Sequence, residues 1–313
     1  MDQSWPSPAE VRPARGTLLG VPDAAAAPGA DVIALGVPYD IATDPHRVGS
    51  RQGPDHVRVM SAQTRPALVD VADGAVRDRL RVADAGNVDV TPGRPDAAFP
   101  RIEAAVAAIL AAGATPLTIG GDGAVTLPQL RAVAARRGPL AVVHLDAHTD
   151  AYPGDPAEPY TNATTFARAV EEGVVDPAAS THLGVRGTTT FPGAVAYARD
   201  LGYTVMTMPE VRETGLAASA RAILARAAAR PVYLCWDMDV FDPSVAPGVC
   251  TPEWGGFTAA EGIELARAFS GIPIAAVDVN TVSPPHDPYG QTGSLAARMI
   301  LEFLHLIAAA RTR

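Results

Sequence analysis

The chain has 313 residues, 48% hydrophobic and 19% charged, enough for one large α/β domain or two modest ones with a well-filled core. Its 25 basic and 34 acidic residues give a net charge of −9 without a basic run, which argues against nucleic acid or an anionic membrane as partner. Two cysteines, Cys235 and Cys250, are too few for a disulfide scaffold or a cysteine-type zinc site and point to a reducing, cytoplasmic setting.

The opening "MDQSWPSPAE" is acidic and polar, unlike a signal peptide. Residues 1–30, rich in proline and alanine, read as an N-terminal arm, and 31–313 as a single domain. From there short apolar runs alternate with helical patterns. The runs are "DVIALGV", "RVADAG", "TPLTIGG", "LAVVHLD", "THLGV", "YTVMTM", "VYLCWDMD" and "IAAVDVN", eight candidate strands. Amphipathic stretches such as "PRIEAAVAAILAAG", "AVTLPQLRAVAARRG", "LAASARAILARAAAR" and "TAAEGIELARAFSG" lie between them, and "GSLAARMILEFLHLIAAA" closes the chain. Ala104 to Gly121 is uncharged, but Gly113 and Pro116 divide it into a buried helix, a turn and a buried strand. This alternation predicts a mostly parallel sheet covered by helices on both faces. No internal repeat or linker divides it.

Two of the runs end in carboxylates. "LAVVHLDAHTD" supplies Asp146, His148 and Asp150 at i, i+2 and i+4, a spacing that in extended backbone sends all three to one side. "VYLCWDMDVFDP" supplies Asp237 and Asp239, with Asp242 shortly after. The carboxyl ends of parallel strands form the ligand crevice of such sheets, so the two clusters are expected to converge. Four carboxylates and an imidazole without a matching cation repel one another, and a divalent ion such as manganese, or less well zinc, removes the repulsion. Such a site activates water at neutral pH and polarises a carbonyl-like carbon. A lone D-x-D would read instead as a loop cap; two clusters with a histidine favour metal.

"TIGGDGAVTLPQL" invites a phosphate-cradle reading but lacks the lysine and Ser/Thr of a P-loop and the spacing of a dinucleotide fingerprint. Together with "LGVPYD", "GSRQGPDHVR", "DAHTD", "DMDVFDPSVAPGVCTPEWGG" and "VSPPHDPYGQT", it resembles the ureohydrolase family: arginase, agmatinase, guanidinobutyrase and proclavaminate amidinohydrolase. The resemblance spans nearly the whole chain after the arm. It implies a three-layer α/β/α sandwich with an eight-stranded parallel sheet, a binuclear Mn2+ centre, urea-releasing hydrolysis of a guanidino C–N bond in a small-molecule substrate, and a homo-oligomer, trimer or hexamer. It also implies that Asp146 and Asp237 bridge two ions, that His148 and Asp239 complete one site, and that Asp150 serves the other.

The chain departs from the family at three positions. Gly123 stands where a ligand histidine follows Gly-Gly-Asp, Asn162 where a proton-transfer histidine precedes Gly-Thr-Thr-Phe, and Thr281 where a glutamate meets the guanidinium. At least one ion is expected, with the Asp150 site weak or empty. Asp150, Asn162 and Thr281 are the candidate catalytic positions; Gly123, Tyr160, Cys250, Glu253 and His286 are candidates for the substrate pocket. Cys250 reads as a small buried hydrophobe before a nucleophile, Cys235 as core, His286 as a rim residue, His144 as a packed histidine behind the ligands, and Asp242 as a turn residue. Arg51 and Arg186 follow strand ends and are candidates to meet a substrate carboxylate, although structural ion pairs are commoner. The loop 151–161 is expected to shape the pocket. Two functions follow: a metallohydrolase with a changed substrate (amidino, ureido or amide), or a catalytically silent binding or partner subunit. Retention of a self-repelling carboxylate set favours the first.

Overall fold

All eight apolar runs form strands in the computed structural model, which describes residues 11–41, 46–70, 74–227 and 230–311. In chain order they are β2 (Val32–Gly36), β3 (Val82–Val88), β4 (Thr115–Ile119), β5 (Ala141–Leu145), β6 (Thr181–Val185), β7 (Thr204–Thr207), β8 (Val232–Asp237) and β9 (Ile274–Asn280). The sheet has nine strands, not eight, because Val11–Arg12 in the arm adds β1, antiparallel to β3. The order is β1-β3-β2-β4-β9-β8-β5-β6-β7, and every pairing except β1·β3 is parallel.

Helices cover both faces. On one lie α1 (Gly53–Ser61), α6 (Met208–Thr214), α7 (Leu216–Ala227), α8 (Ala259–Ala268) and α9 (Gln291–Arg311). On the other lie α2 (Pro95–Ala111), α3 (Thr126–Arg137), α4 (Thr165–Glu171) and α5 (Ala194–Asp200). Strand side chains alternate between these layers. In β8, Val232, Leu234 and Trp236 join the α9 side, while Tyr233 and Cys235 join the α3 side. Continuous apolar sequence therefore reflects burial on both faces, the expected signature of a covered parallel sheet. The residues 104–121 divide into α2, a turn and β4 as expected. Helix α9 is long and apolar enough to cross a membrane, but 72% of its apolar window is buried, and it packs on α1 and α8 as a core helix.

A buried ion pair ties the arm, α1 and β3 together. Arg58, fully buried, forms a two-pronged contact with Asp84 at 2.8 and 2.9 Å and donates further to Asn87 and the Gly86 carbonyl. Asp84 also accepts the Leu18 amide of the arm at 2.7 Å.

The four strands β4, β9, β8 and β5 are neighbours at the centre of the sheet. The chain leaves β4 through α3 and re-enters at β5, skipping two places, so a crevice opens at their carboxyl ends. At the mouth of β4 the paired glycines are steric necessities: a Cβ at Gly121 would lie 1.5 Å from the Tyr39 carbonyl oxygen, and one at Gly120 2.6 Å from Asn280 Cβ.

Candidate metal centre

Alternation places Asp237 of β8 on the α3 side, beside Asp146 at the end of β5. Neither cluster continues as extended chain, so the i, i+4 alignment expected for Asp150 does not arise. Strand β5 stops at Leu145, and the Asp146 carboxylate turns back to accept the His148 amide at 2.5 Å. Strand β8 does the same: Asp237 Oδ1 accepts the Asp239 amide at 2.7 Å and caps a short 3₁₀ turn. Both first aspartates thus form the loop cap, and that same turn brings the second residue of each pair inward. Asp150 arrives by left-handed backbone, φ +46°, a conformation that strains a non-glycine residue.

His148 Nδ1 lies 3.1 Å from Asp146 Oδ1 and 3.1 Å from Asp239 Oδ2. Among the described residues, two sets could each hold an ion with ligand atoms within 4.8 Å of one another: Asp146, His148 and Asp239, and Asp146, Asp150 and His144. Asp237 belongs to neither set in this conformation; its Oδ1 also accepts a short hydrogen bond from the Thr281 hydroxyl. Thr281 itself has φ +65°.

The electrostatics favour a cation. Burial, with the Asp239 charge, pushes the Asp146 carboxyl up to about 8. Burial and neighbouring carboxylates raise Asp150 and Asp237 well above the usual range. Burial works against the charges of Asp239 and His148 too, but their mutual attraction outweighs it, holding Asp239 at about 2 and His148 well above its ordinary value. Asp146 Oδ2 is buried without a hydrogen-bond partner, although His144 Nε2 lies 2.9 Å away off the bonding direction. A buried carboxylate oxygen left unpartnered is costly unless something positive meets it. The donor set, hard oxygens and one or two imidazoles, suits a divalent ion of the manganese type.

Behind the cluster, His144 Nδ1 meets His182 Nδ1 at 2.8 Å beneath Phe166 and Tyr203. Burial pushes His144 down to about 3, so it stays neutral.

The three departures from the resemblance come to different ends. Gly123, Asp150 and Asn162 adjoin: a Cβ at 123 would sit 2.7 Å from Asp150 Oδ2 and 3.4 Å from Asn162 Cβ. The Asp150 carboxylate occupies the room next to the missing side chain. Asn162 and Asp150 line a cavity of about 580 Å3 with His148, Tyr152, Thr188 and Glu253, and the loop 151–161 forms much of its wall. Thr281 lies outside that lining and faces Asp237 instead.

Among the other candidates, Glu253 lines the cavity, whereas Tyr160 turns away to pack on Phe99 with Arg131 over its ring. Gly123, Cys250 and His286 are not in the lining. Cys250 Sγ lies 3.6 Å from the Thr281 carbonyl, and burial raises its thiol well above the ordinary value, which keeps it protonated and unsuited to attack. His286 bonds Ser283 at 3.0 Å at the rim and joins neither ligand set. Cys235 is core, and Asp242 holds the amides of Ser244, Gly255 and Gly256. Arg51 pairs with Asp40, and Arg186 donates to five main-chain carbonyls. Sequence reasoning missed Asp122, a buried carboxyl pushed up to about 7 mainly by burial, which fixes the β4 loop through the Ile41 and Ala124 amides. It also missed Thr188 to Thr190 in the cavity wall, since isolated loop residues carry no spacing signal.

The sequence profile of the arginase family matches residues 30–306. The chain belongs to the arginase family. It is thereby a hydrolase acting on C–N bonds other than peptide bonds. It is 40% identical over 282 residues to guanidinopropionase of Pseudomonas aeruginosa, covering 89% of this chain and 87% of that one. Proclavaminate amidinohydrolase of Streptomyces clavuligerus is 38% identical over 282 residues, covering 90% of each. The solved structure of proclavaminate amidinohydrolase superposes with a TM-score of 0.89 at 36% identity, covering 97% of this chain and 99% of that one. An arginase-family member with these relatives has the three-layer α/β/α fold that the sequence resemblance implies.

Proposed function

We propose that this arginase-family chain is a metal-dependent hydrolase of a C–N bond in a small amidino, ureido or amide compound, with Mn2+ as the metal. The observation that carries the reading is the buried Asp146 carboxylate, whose Oδ2 accepts no hydrogen bond and which shares ion-holding sets with His148 and Asp150, two residues that line the open cavity. Asp146, His148 and Asp239 would hold one ion, and Asp146 and Asp150, without a histidine at 123, would hold a second more weakly, with Asp237 the further carboxylate within the cluster. A divalent ion there lowers the pKa of water and polarises the carbon under attack.

The remaining work falls to the protein. Asp150, at the cavity floor, accepts the proton of the attacking water and passes it to the leaving nitrogen. Asn162 orients the substrate by hydrogen bonds but, unlike histidine, carries no proton near pH 7. Thr281 positions Asp237 and brings no charge to the substrate. A homo-oligomer, trimer or hexamer, and a cytoplasmic location belong to the same reading, supported by family membership and by two free cysteines. The silent-subunit alternative is the weaker reading, since the ligand carboxylates are kept and two members of the cluster, His148 and Asp150, line a cavity.

The test is metal analysis of the purified protein, then a screen of guanidino, ureido and amide compounds for urea or ammonia release. Metal-dependent release lost in Asp146→Asn supports the reading. A folded protein with no bound metal and no stabilisation by Mn2+ sinks it.

A further inference from the structure

The ion-holding set around Asp150 lacks an imidazole from position 123, yet it has one from another direction. His144 lies in β5 two residues before Asp146, so alternation sends both side chains to the α3 side of the sheet. The ring is buried, and its Nε2 stands 2.9 Å from Asp146 Oδ2. That oxygen accepts no hydrogen bond, so the two atoms meet without a proton aligned between them. The other oxygen of the same carboxylate mirrors the arrangement, with Oδ1 3.1 Å from His148 Nδ1. Asp146 therefore has an imidazole nitrogen beside each of its oxygens.

Neighbouring ligands of an octahedral divalent ion at about 2.1 Å lie about 3.0 Å apart. Both nitrogen–oxygen contacts of Asp146 have that separation. Ligand atoms of His144, Asp146 and Asp150 lie within 4.8 Å of one another, and all three residues are buried. Glycine at 123 permits the set. Asp150 Oδ2 stands 2.7 Å from the place a Cβ at 123 would take, so any side chain there would have to displace it.

A ligating Nε2 needs the ring proton on Nδ1, and an acceptor is in place for it. His144 Nδ1 meets His182 Nδ1 at 2.8 Å, a contact that holds one proton between the two nitrogens. With that proton on His144, Nε2 keeps its lone pair, as in ligating histidines whose other nitrogen is fixed by a hydrogen bond. His182 is buried against Phe166 and Tyr203 and its Nε2 has no partner, so the polar contact of its ring is with His144. Packing on Phe166, with centroids 4.4 Å apart, further fixes the His144 ring. Packing alone would leave Asp146 Oδ2 unmet.

We propose that His144 Nε2 is a ligand of the ion on the Asp150 side, in place of the imidazole that position 123 does not supply. The proposal rests on the metal-dependent reading above. Each ion then has one histidine, with Asp146 shared between the two sets. The Asp150 side becomes a mixed nitrogen–oxygen site, which favours Mn2+ over Mg2+ more than carboxylates alone would.

Calorimetric titration of the metal-stripped full chain with Mn2+ tests this without reference to turnover. The parent should bind two ions in two affinity classes. His144→Phe, which keeps a ring against Phe166, should retain the tighter class and weaken the other by about 100-fold. Adding Gly123→His to that variant should restore the weaker class, a rescue that a packing defect would not allow. Excess Mg2+ should displace the second ion from His144→Phe far more readily than from the parent. Electron spin-echo modulation of bound Mn2+ gives a readout that does not depend on the phenylalanine variant folding. His148→Ala saturated with Mn2+ should still show imidazole-nitrogen coupling, supplied by His144. Unchanged affinities in His144→Phe, loss of both classes without rescue, or a His148→Ala protein without nitrogen coupling each overturn the proposal. A parent that binds a single ion overturns it too, whereas a parent that binds none sinks the metal-dependent reading itself.

Discussion

A histidine at position 123 should have opposite effects with and without metal. An ideal Cβ there meets Asp150 Oδ2 at 2.7 Å and Asn162 Cβ at 3.4 Å, and the backbone at 123 is not left-handed, so the displaced Asp150 carboxylate is the main obstacle. In the metal-free protein Gly123→His overpacks the site at a cost of about 1–3 kcal/mol. For a chain this long that lowers Tm by roughly 2–6 °C. With metal the imidazole adds a nitrogen donor beside Asp146 and Asp150. A gain of about 100-fold in affinity is worth about 2.7 kcal/mol, which offsets the cost once the ion saturates both proteins. Differential scanning calorimetry in chelator and in saturating Mn2+ reads both arms. The variant should melt below the parent in chelator and draw level with it or pass it in Mn2+. Equal Mn2+ shifts in the two proteins would refute the placement of Gly123 beside the weak site.

Three further outcomes follow from the same geometry. Restoring three side chains at once, Gly123→His, Asn162→His and Thr281→Glu, should create or raise urea release from a guanidino amine or acid; no gain in folded, metal-loaded protein means the pocket has diverged beyond these positions. Raised carboxyl values at Asp146, Asp150 and Asp237 mean the native state binds protons that the unfolded chain has released above about pH 4. Metal-free protein should therefore lose stability as pH rises from about 7 to about 8, above the range in which the buried neutral His144 and His182 contribute the opposite slope and where Asp146 titrates, and Mn2+ should flatten the slope in urea melts; a metal-free slope of opposite sign in that range refutes the account. Arg58→Ala leaves Asp84 buried and uncompensated and should cost about 3–5 kcal/mol by denaturant unfolding; a loss under about 1 kcal/mol would mean that water reaches Asp84.

The eight parallel strands were legible because burial on both faces leaves uninterrupted apolar runs. Strand β1 was not, being two residues whose pairing depends on β3 rather than on any pattern of their own. Helices α4, α5 and α6, seven residues each, are too short to show a period. At the site, the first carboxylate of each cluster could be placed because it ends a strand. The route to Asp150 could not, because it depends on a left-handed residue that the sequence marks with neither glycine nor asparagine. The same limit explains Tyr160 and Thr281. Tyr160 sits beside the lining residue Thr161 in sequence but turns toward Phe99. At position 281 a short hydroxyl reaches Asp237, where a longer acid would reach past it.

The arm has a consequence for other copies of the chain. Val11 and Arg12 pair with Val88 and Asn87, and farther along Asp23 bridges to Asp84, so the arm runs down the outer side of β3. Left bare, that side would present a row of main-chain donors and acceptors open to any passing strand. The described part of the arm, from Val11 onward, covers this edge and is expected to hinder edge-to-edge association. Trimming the chain to begin at Thr17 should leave the metal ligands in place yet raise light scattering with protein concentration, and a trimmed protein that scatters like the parent would show that the edge is guarded by other means.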